Sequence, residues 1–298
     1  MPASADDLRH VRARVLRWYD AEKRDLPWRR TRDPYPVLVS EVMLQQTQAS
    51  RVIGRFSRFL ARFPSVEALA AATTAEVLAE WSGLGYNRRA LALQRAAAEV
   101  VRAGGWPRDV EGLRRLPGIG PYTARALASL AFGQPVGAVD TNVRRWLVRR
   151  FAVADAPPAI QQLADALAST GADGRADAWT NASIEFGAVV CRARSPRCDA
   201  CPIRTGCPSR GAGVTVPVPR QAPLAGSDRE VRGAVLRHLA GAEGHASAER
   251  TLRAALAREL VAEVDTDRWE RVLSALERDG LAHRQAGSLR LGAATIDP

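Results

Sequence analysis

The octapeptide Leu116-Pro117-Gly118-Ile119-Gly120-Pro121-Tyr122-Thr123 joins two helical segments through a tight turn. Gly118 and Gly120 carry no β-carbon, so backbone amides there can approach an anion closely. Pro121 suits the first turn of a helix predicted over 121–132, and the N-terminus of that helix favours a phosphate. Arg114, Arg115 and Arg125 place positive charge nearby. A Gly-Pro turn between helices is common and structural by itself, but the complete octapeptide has the form of a helix-hairpin-helix signature. It is expected to hold DNA by its backbone without specifying a base.

Outward from the hairpin, helical spacing recurs. Residues 6–25 form an amphipathic pattern, with Leu8, Val11, Val15, Leu16 and Trp18 on one side and Arg9, Arg12 and Arg17 on the other. Further helices are predicted near 35–49, 50–62, 66–71, 74–81, 86–103, 140–151, 159–168 and 176–190, separated by breakers such as Phe63-Pro64-Ser65 and Gly104-Gly105-Trp106-Pro107. No convincing run of alternating strands interrupts them, so residues 1–208 are expected to form an all-α domain. Residues 209–226, with Val-Pro-Val-Pro, form an expected linker. The small C-terminal domain, 227–298, has predicted helices near 228–240, 247–260 and 267–279. Strands follow around Leu281–His283 and Ser288–Leu291. That order resembles a winged helix, whose arginines would add phosphate contacts; a small helical appendix is the alternative.

The chain has 298 residues and a formal charge of +11. Such a charge points to a polyanionic partner, nucleic acid first and an acidic membrane surface second. No run of eighteen uncharged apolar residues exists, and the first thirty residues carry charges in place of an apolar signal core. Membrane insertion and secretion are not expected; the expectation is a cytoplasmic monomer associated with the nucleoid through DNA. Lys23 is the sole lysine. A coding bias toward arginine explains that as well as function does, yet it leaves lysine Schiff-base chemistry one candidate residue.

All four cysteines fall within seventeen residues as Cys191, Cys198, Cys201 and Cys207, a C-x6-C-x2-C-x5-C pattern. Disulfides need an oxidising compartment that no signal here addresses. Zinc sites usually pair two short knuckles across a longer loop. One compact loop supplying four thiolates fits a [4Fe–4S] cluster better, with zinc and disulfides as the alternatives.

Twenty residues beyond Gly120 comes Val139-Asp140-Thr141-Asn142-Val143-Arg144-Arg145, with Asp140 at a predicted helix start. An ordinary N-cap would explain Asp140. The order of hairpin, helix, Asp and cysteine loop nevertheless resembles the endonuclease III-like DNA glycosylase superfamily, from about residue 8 to residue 208. Within it the chain is most similar to the MutY-type adenine glycosylases. The segments that carry this are Leu26-Pro27-Trp28-Arg29, then Val39-Ser40-Glu41-Val42-Met43-Leu44-Gln45-Gln46-Thr47-Gln48, then Trp81-Ser82-Gly83-Leu84-Gly85-Tyr86. On a continuous helix Glu41, Gln45 and Gln48 would share one face, lining a groove in a glycosylase.

The resemblance implies a monofunctional enzyme that removes adenine opposite 8-oxoguanine or guanine in double-stranded DNA. Adenine leaves poorly as an anion, so Glu41 would protonate the purine, its pKa raised by a partly apolar pocket that includes Trp28. Asp140 would remain ionised and stabilise the oxocarbenium-like sugar. Tyr122 would support the sugar site, Asn142 would orient the acid and its water, and Arg29 and Glu185 would contact the base. Extruding a base leaves a gap, which Gln46 and Tyr86 would fill while Arg88 and Arg89 hold phosphates.

Some positions depart from the family pattern. Asn87 stands where a second Tyr often follows Tyr86, and Thr141 is similar to endonuclease III where adenine enzymes commonly have Gly. No Phe follows Phe186, so the tail lacks the usual 8-oxoguanine-reading loop of a Nudix-like domain. A thymine or uracil mismatch glycosylase, or a bifunctional enzyme for oxidised pyrimidines, is the alternative on this scaffold. A non-catalytic DNA-binding iron–sulfur protein is the alternative of another class.

Overall fold

The structure, a computed structural model, describes residues 4–171, 173–210 and 222–293. Residues 211–221, the middle of the expected 209–226 linker, lie outside the described residues. The helices are α1 Ala5–Glu22, α2 Pro34–Leu44, α3 Ala49–Arg62, α4 Val66–Ala71, α5 Thr74–Trp81, α6 Arg88–Arg102 and α7 Val110–Arg114. They continue with α8 Pro121–Leu130, α9 Thr141–Phe151, α10 Pro157–Ser169, α11 Ala176–Val189 and α12 Asp228–Gly241. Strand β1 Ala246–Ala248, helices α13 Glu249–Glu259 and α14 Thr266–Arg278, and strands β2 Ala282–Gln285 and β3 Ser288–Leu291 complete the order. No described helix is long and apolar enough to cross a membrane.

The chain divides into two compact units, Met1–Glu41 with Trp106–Val218, and Val42–Gly105 with Pro219–Pro298. In the first, α1, α9, α10 and α11 enclose Val11, Leu16, Trp146, Leu167, Trp179 and Phe186. Trp146 meets Trp179 and Phe186 edge to face, centroids 6.3 and 5.6 Å apart, an arrangement that suits aromatic quadrupoles. Caps fix where its helices begin: the Ser4 hydroxyl accepts from the Asp7 amide, 3.1 Å, and the Asp109 carboxylate from the Gly112 amide, 2.8 Å.

In the second unit, Thr73 and Glu76 form a reciprocal capping box that starts α5. Four arginines one helical turn apart on α3 reach toward α5 and the turn after it. Arg51 donates to the Gly83 carbonyl and Arg55 to the Ser82 carbonyl, while Arg58 pairs with Glu80 and Arg62 with Glu76. The C-terminal part has three helices and an antiparallel sheet of order β1-β3-β2, the winged-helix arrangement. Its backbone comes close to the α5 start, since a Cβ on Gly292 would lie 3.3 Å from the Ala75 nitrogen.

One predicted helix is interrupted. The pattern over 35–49 reads as continuous, but α2 ends at Leu44 and Gln46 takes a left-handed φ of 55°. Gln45 and Gln48 therefore do not continue the face of Glu41. No Gly or Pro marks this break, which is why periodicity runs through it.

Candidate active site

The hairpin forms as the glycines require. Gly118 has φ 73°, a conformation that L side chains rarely adopt, and the Ile119 amide donates back to the Leu116 carbonyl at 3.1 Å. Gly120 is the N-cap of α8 with extended backbone. A Cβ there would meet nothing within 4 Å, so the space beside the start of α8 is open. Arg114 and Arg115 are exposed.

Behind the hairpin, α8, α2 and α9 bring three groups together. Glu41 is buried on the last full turn of α2 and accepts a hydrogen bond from Tyr122, at the second position of α8. Asp140 is the N-cap of α9. Its carboxylate accepts from the Val143 amide at 2.7 Å and from the Asn142 Nδ2 at 2.7 Å. Burial drives the Glu41 carboxyl up to about 7, with Asp140 adding to the rise and Tyr122 opposing it. Burial also raises Asp140, against the opposing donors Val143 and Asn142 and the charge of Arg145. The two acids titrate as a pair. Asp140 has the donors that favour a carboxylate, so it is the member fitted to ionise first, and Glu41 the member fitted to keep its proton.

Arg145, buried on α9, orients this arrangement. It donates to the Asn142 Oδ1 at 2.9 Å, the Gly187 carbonyl at 2.6 Å and the Cys191 carbonyl at 2.8 Å. With its oxygen taken, the Asn142 amide must turn its nitrogen to Asp140. Gly187 is needed here for closeness: a Cβ would lie 2.5 Å from the Asn142 carbonyl oxygen.

Beside the acids, α11 carries Glu185, which is 1% exposed. Arg24 grips it through Nε and a terminal nitrogen, both 2.6 Å, and Arg29 adds a third contact at 2.7 Å. Burial pushes this carboxyl up, but Arg24 and Arg29 outweigh it and hold it below the usual range. Glu185 is thus an ionised acceptor. A cavity of about 160 Å³ opens next to Arg29, lined also by Trp28, Val37, Ser40, Asp177 and Asn181.

No disulfide joins the four cysteines of the 191–207 loop. Burial pushes Cys201 up to about 11, and the charges of Cys191, Cys207 and Cys198 add to that rise. Arg149 lies 3.6 Å from the Cys191 sulfur. Among the described residues no three of His, Cys, Asp and Glu close on a single metal ion.

A family model described as HhH-GPD superfamily base excision DNA repair protein matches residues 39–171. The adenine DNA glycosylase of Mycolicibacterium smegmatis is 47% identical over 230 residues, 74% of this chain and 78% of that protein. The chain belongs to the HhH-GPD superfamily. The adenine DNA glycosylase of Mycobacterium tuberculosis H37Rv is 43% identical, over 79% of this chain and 80% of that protein. Among solved structures, a thermostable thymine-DNA glycosylase matches with TM-score 0.64 and 28% identity, covering 70% of this chain and 100% of that one.

Within this HhH-GPD chain, several residues expected to face DNA are otherwise engaged. Arg125 is paired with Asp165 at 2.6 Å and donates to the Gly137 carbonyl, tying α8 to α10 instead of reaching an open phosphate site. Arg89 spends its guanidinium on backbone carbonyls. Arg88 is 76% exposed, 3.8 Å from Asp279. Tyr86, 47% exposed, and Gln46 both sit at positive φ. Arg24, Arg145 and Gly187 escaped sequence reasoning. Arg24 lies within the same short segment as Trp28 and Arg29, but its partner is 161 residues away.

Proposed function

We propose that the protein is a monofunctional DNA glycosylase that hydrolyses the N-glycosidic bond of adenine mispaired with 8-oxoguanine or guanine. The observation that carries this reading is the buried pair of acids on α2 and α9: Glu41, hydrogen-bonded to Tyr122 and raised by burial to about 7, beside Asp140, which accepts from the Val143 amide and the Asn142 side chain. Glu41 donates a proton to N7 of the extruded purine, making it a neutral leaving group. The Asp140 carboxylate stabilises the positive charge that develops on the sugar. Water, oriented by the Asn142 amide and the deprotonated Glu41, completes the hydrolysis at the anomeric carbon. Glu185, an acceptor held by Arg24 and Arg29, suits the exocyclic amine of adenine, and the two mycobacterial relatives named adenine DNA glycosylase support that choice.

Tyr122 occupies the start of α8 and cannot form an imine, so abasic product should accumulate with intact strands. Cys191, Cys198, Cys201 and Cys207 would hold a [4Fe–4S] cluster. That group would supply a structural cross-link closing the loop after α11, where the Cys191 carbonyl meets Arg145. Purified protein should be yellow-brown, with about four irons per chain; stoichiometric zinc without iron from anaerobic preparations would contradict the cluster. The hairpin and basic first two-thirds hold the duplex as a single chain, cytoplasmic and on the nucleoid.

Single-turnover excision across duplexes that carry each candidate base pair tests the function. Adenine should be released opposite 8-oxoguanine and guanine, and borohydride should trap little covalent complex. A second reading, thymine opposite guanine, is favoured by the likeness to the thymine-DNA glycosylase structure; release of thymine alone would select it.

A further inference from the structure

Two turns of the second unit hold non-glycine residues in the left-handed region, Gln46 at φ 55° and Tyr86 at φ 50°. Such conformations cost free energy and persist where their surroundings enforce them. Arg89, on the first turn of α6, donates to a carbonyl in each of the two turns. One terminal nitrogen donates to the Val42 carbonyl at 2.8 Å and to the Gln45 carbonyl, which carries the peptide bond to Gln46. The other donates to the Gly85 carbonyl at 3.2 Å, which carries the peptide bond to Tyr86. The guanidinium carbon lies 5.7 Å from the Trp81 ring centroid and 5.1 Å from that of Tyr86. Trp81 in turn donates from its indole to the same Gly85 carbonyl at 3.2 Å.

We propose that Arg89 is a positioning residue that locks the Gln45–Gln46 and Gly85–Tyr86 turns to each other, presetting both side chains for entry into the gap left by an extruded base. This rests on the base-extruding function proposed above. To hold a phosphate, Arg89 would need its terminal N–H groups pointing at solvent, and here both terminal nitrogens donate to carbonyls, of Val42 near the end of α2 and of Gln45 and Gly85 in the two turns. Burial depresses the Arg89 pKa to about 10, as expected for a guanidinium drawn out of water. Lysine could reach one of these carbonyls, but it lacks the planar fork that spans both turns while stacking on aromatic faces. A preset pair of side chains would avoid the ordering cost that flexible loops pay when they enter DNA.

The test uses the full-length protein and the variants Arg89→Met, Arg89→Lys and Arg88→Met. Amide hydrogen exchange without DNA should accelerate in both segments, 44–48 and 84–88, by about ten-fold or more in Arg89→Met, with Arg89→Lys restoring it only in part. With 2-aminopurine opposite guanine, the fluorescence rise that reports extrusion should shrink in Arg89→Met, while the slope of log affinity against log salt stays unchanged. The slope should instead fall by about 0.9 in Arg88→Met, if Arg88 holds one phosphate. Unchanged exchange in both segments, or a flattened salt slope with normal extrusion in the Arg89 variants, would overturn the proposal. Should Arg89→Met fail to fold, Arg89→Lys carries the same comparison. Should wild-type protein release no adenine, the functional reading falls while hydrogen exchange still decides the role of Arg89.

Discussion

Residues 227–298 hold 11 arginines against 12 Asp and Glu, a formal charge of −1, so residues 1–226 carry +12. The two regions are about equally arginine-rich and both pair arginines with carboxylates, as Arg12 does with Asp173 and Arg144 with Asp155, yet only the first has positive charge left over. In the C-terminal part Arg232 pairs with Asp279, Arg268 and Arg271 with Asp228, and Arg284 with Glu249 and Glu270. Those guanidiniums help hold a winged helix together, and the exposed face of α14 mixes Asp267, Glu270 and Glu277 with Arg271 and Arg278. The expectation that the tail's arginines add phosphate contacts draws no support from its net charge, since a winged-helix shape does not by itself bring an excess of positive charge. The surplus of positive charge, which favours a polyanion, lies in the first 226 residues, where the hairpin and the acids also lie.

The largest effect that would break this contrast is catalytic. Glu41→Gln and Asp140→Asn should each lower single-turnover adenine release by about a thousand-fold or more, with duplex affinity changed less than about two-fold, since both groups act on the transition state. Gly187→Ala should be next. Its methyl would have to displace the Asn142 backbone, so we expect destabilisation of about 1–3 kcal/mol by thermal unfolding together with slower excision. A stable, fully active alanine variant would show that α9 and α11 need no such closeness.

Charge reversal sharpens the comparison further. Arg114→Glu with Arg115→Glu should weaken duplex binding about ten-fold and flatten its salt dependence. Arg250→Glu with Arg258→Glu in the tail should change affinity less than about two-fold. Equal losses from both pairs, measured by fluorescence anisotropy, would return DNA binding to the tail.

How much of this was legible in the sequence depended on range. The hairpin glycines, the Asp140 N-cap and the four-cysteine loop are local patterns, and local backbone chemistry places them. The ends of α4 and α5 also lie where the breakers put them. What stayed hidden was decided at a distance. Arg125 and Arg89 read as cations near DNA motifs, but Asp165 and the carbonyls of Val42 and Gln45, 40 to 47 residues away, claim them. Strand β1, three residues long, exists because β3 pairs with it, a partner no alternation in Ala246-Ser247-Ala248 reveals.

The smallest expected effect is on stability. A carboxyl raised in the folded state binds a proton that the unfolded chain has lost, so Glu41 costs stability as pH rises from about 4.5 to about 7. Glu41→Gln should therefore be more stable than wild type above pH 7, by roughly 3 kcal/mol or less, and lose that advantage near pH 4.5. Parallel unfolding curves for the two proteins across this range would mean that Glu41 titrates normally.

The raised acid itself is tested most directly by the pH dependence of single-turnover adenine release from a duplex with adenine opposite 8-oxoguanine. With Glu41 donating the proton, the basic limb of the rate should break near pH 7 and fall about ten-fold per pH unit above it. A rate that climbs through pH 7, or that keeps the same break in Glu41→Gln, would contradict Glu41 as the acid.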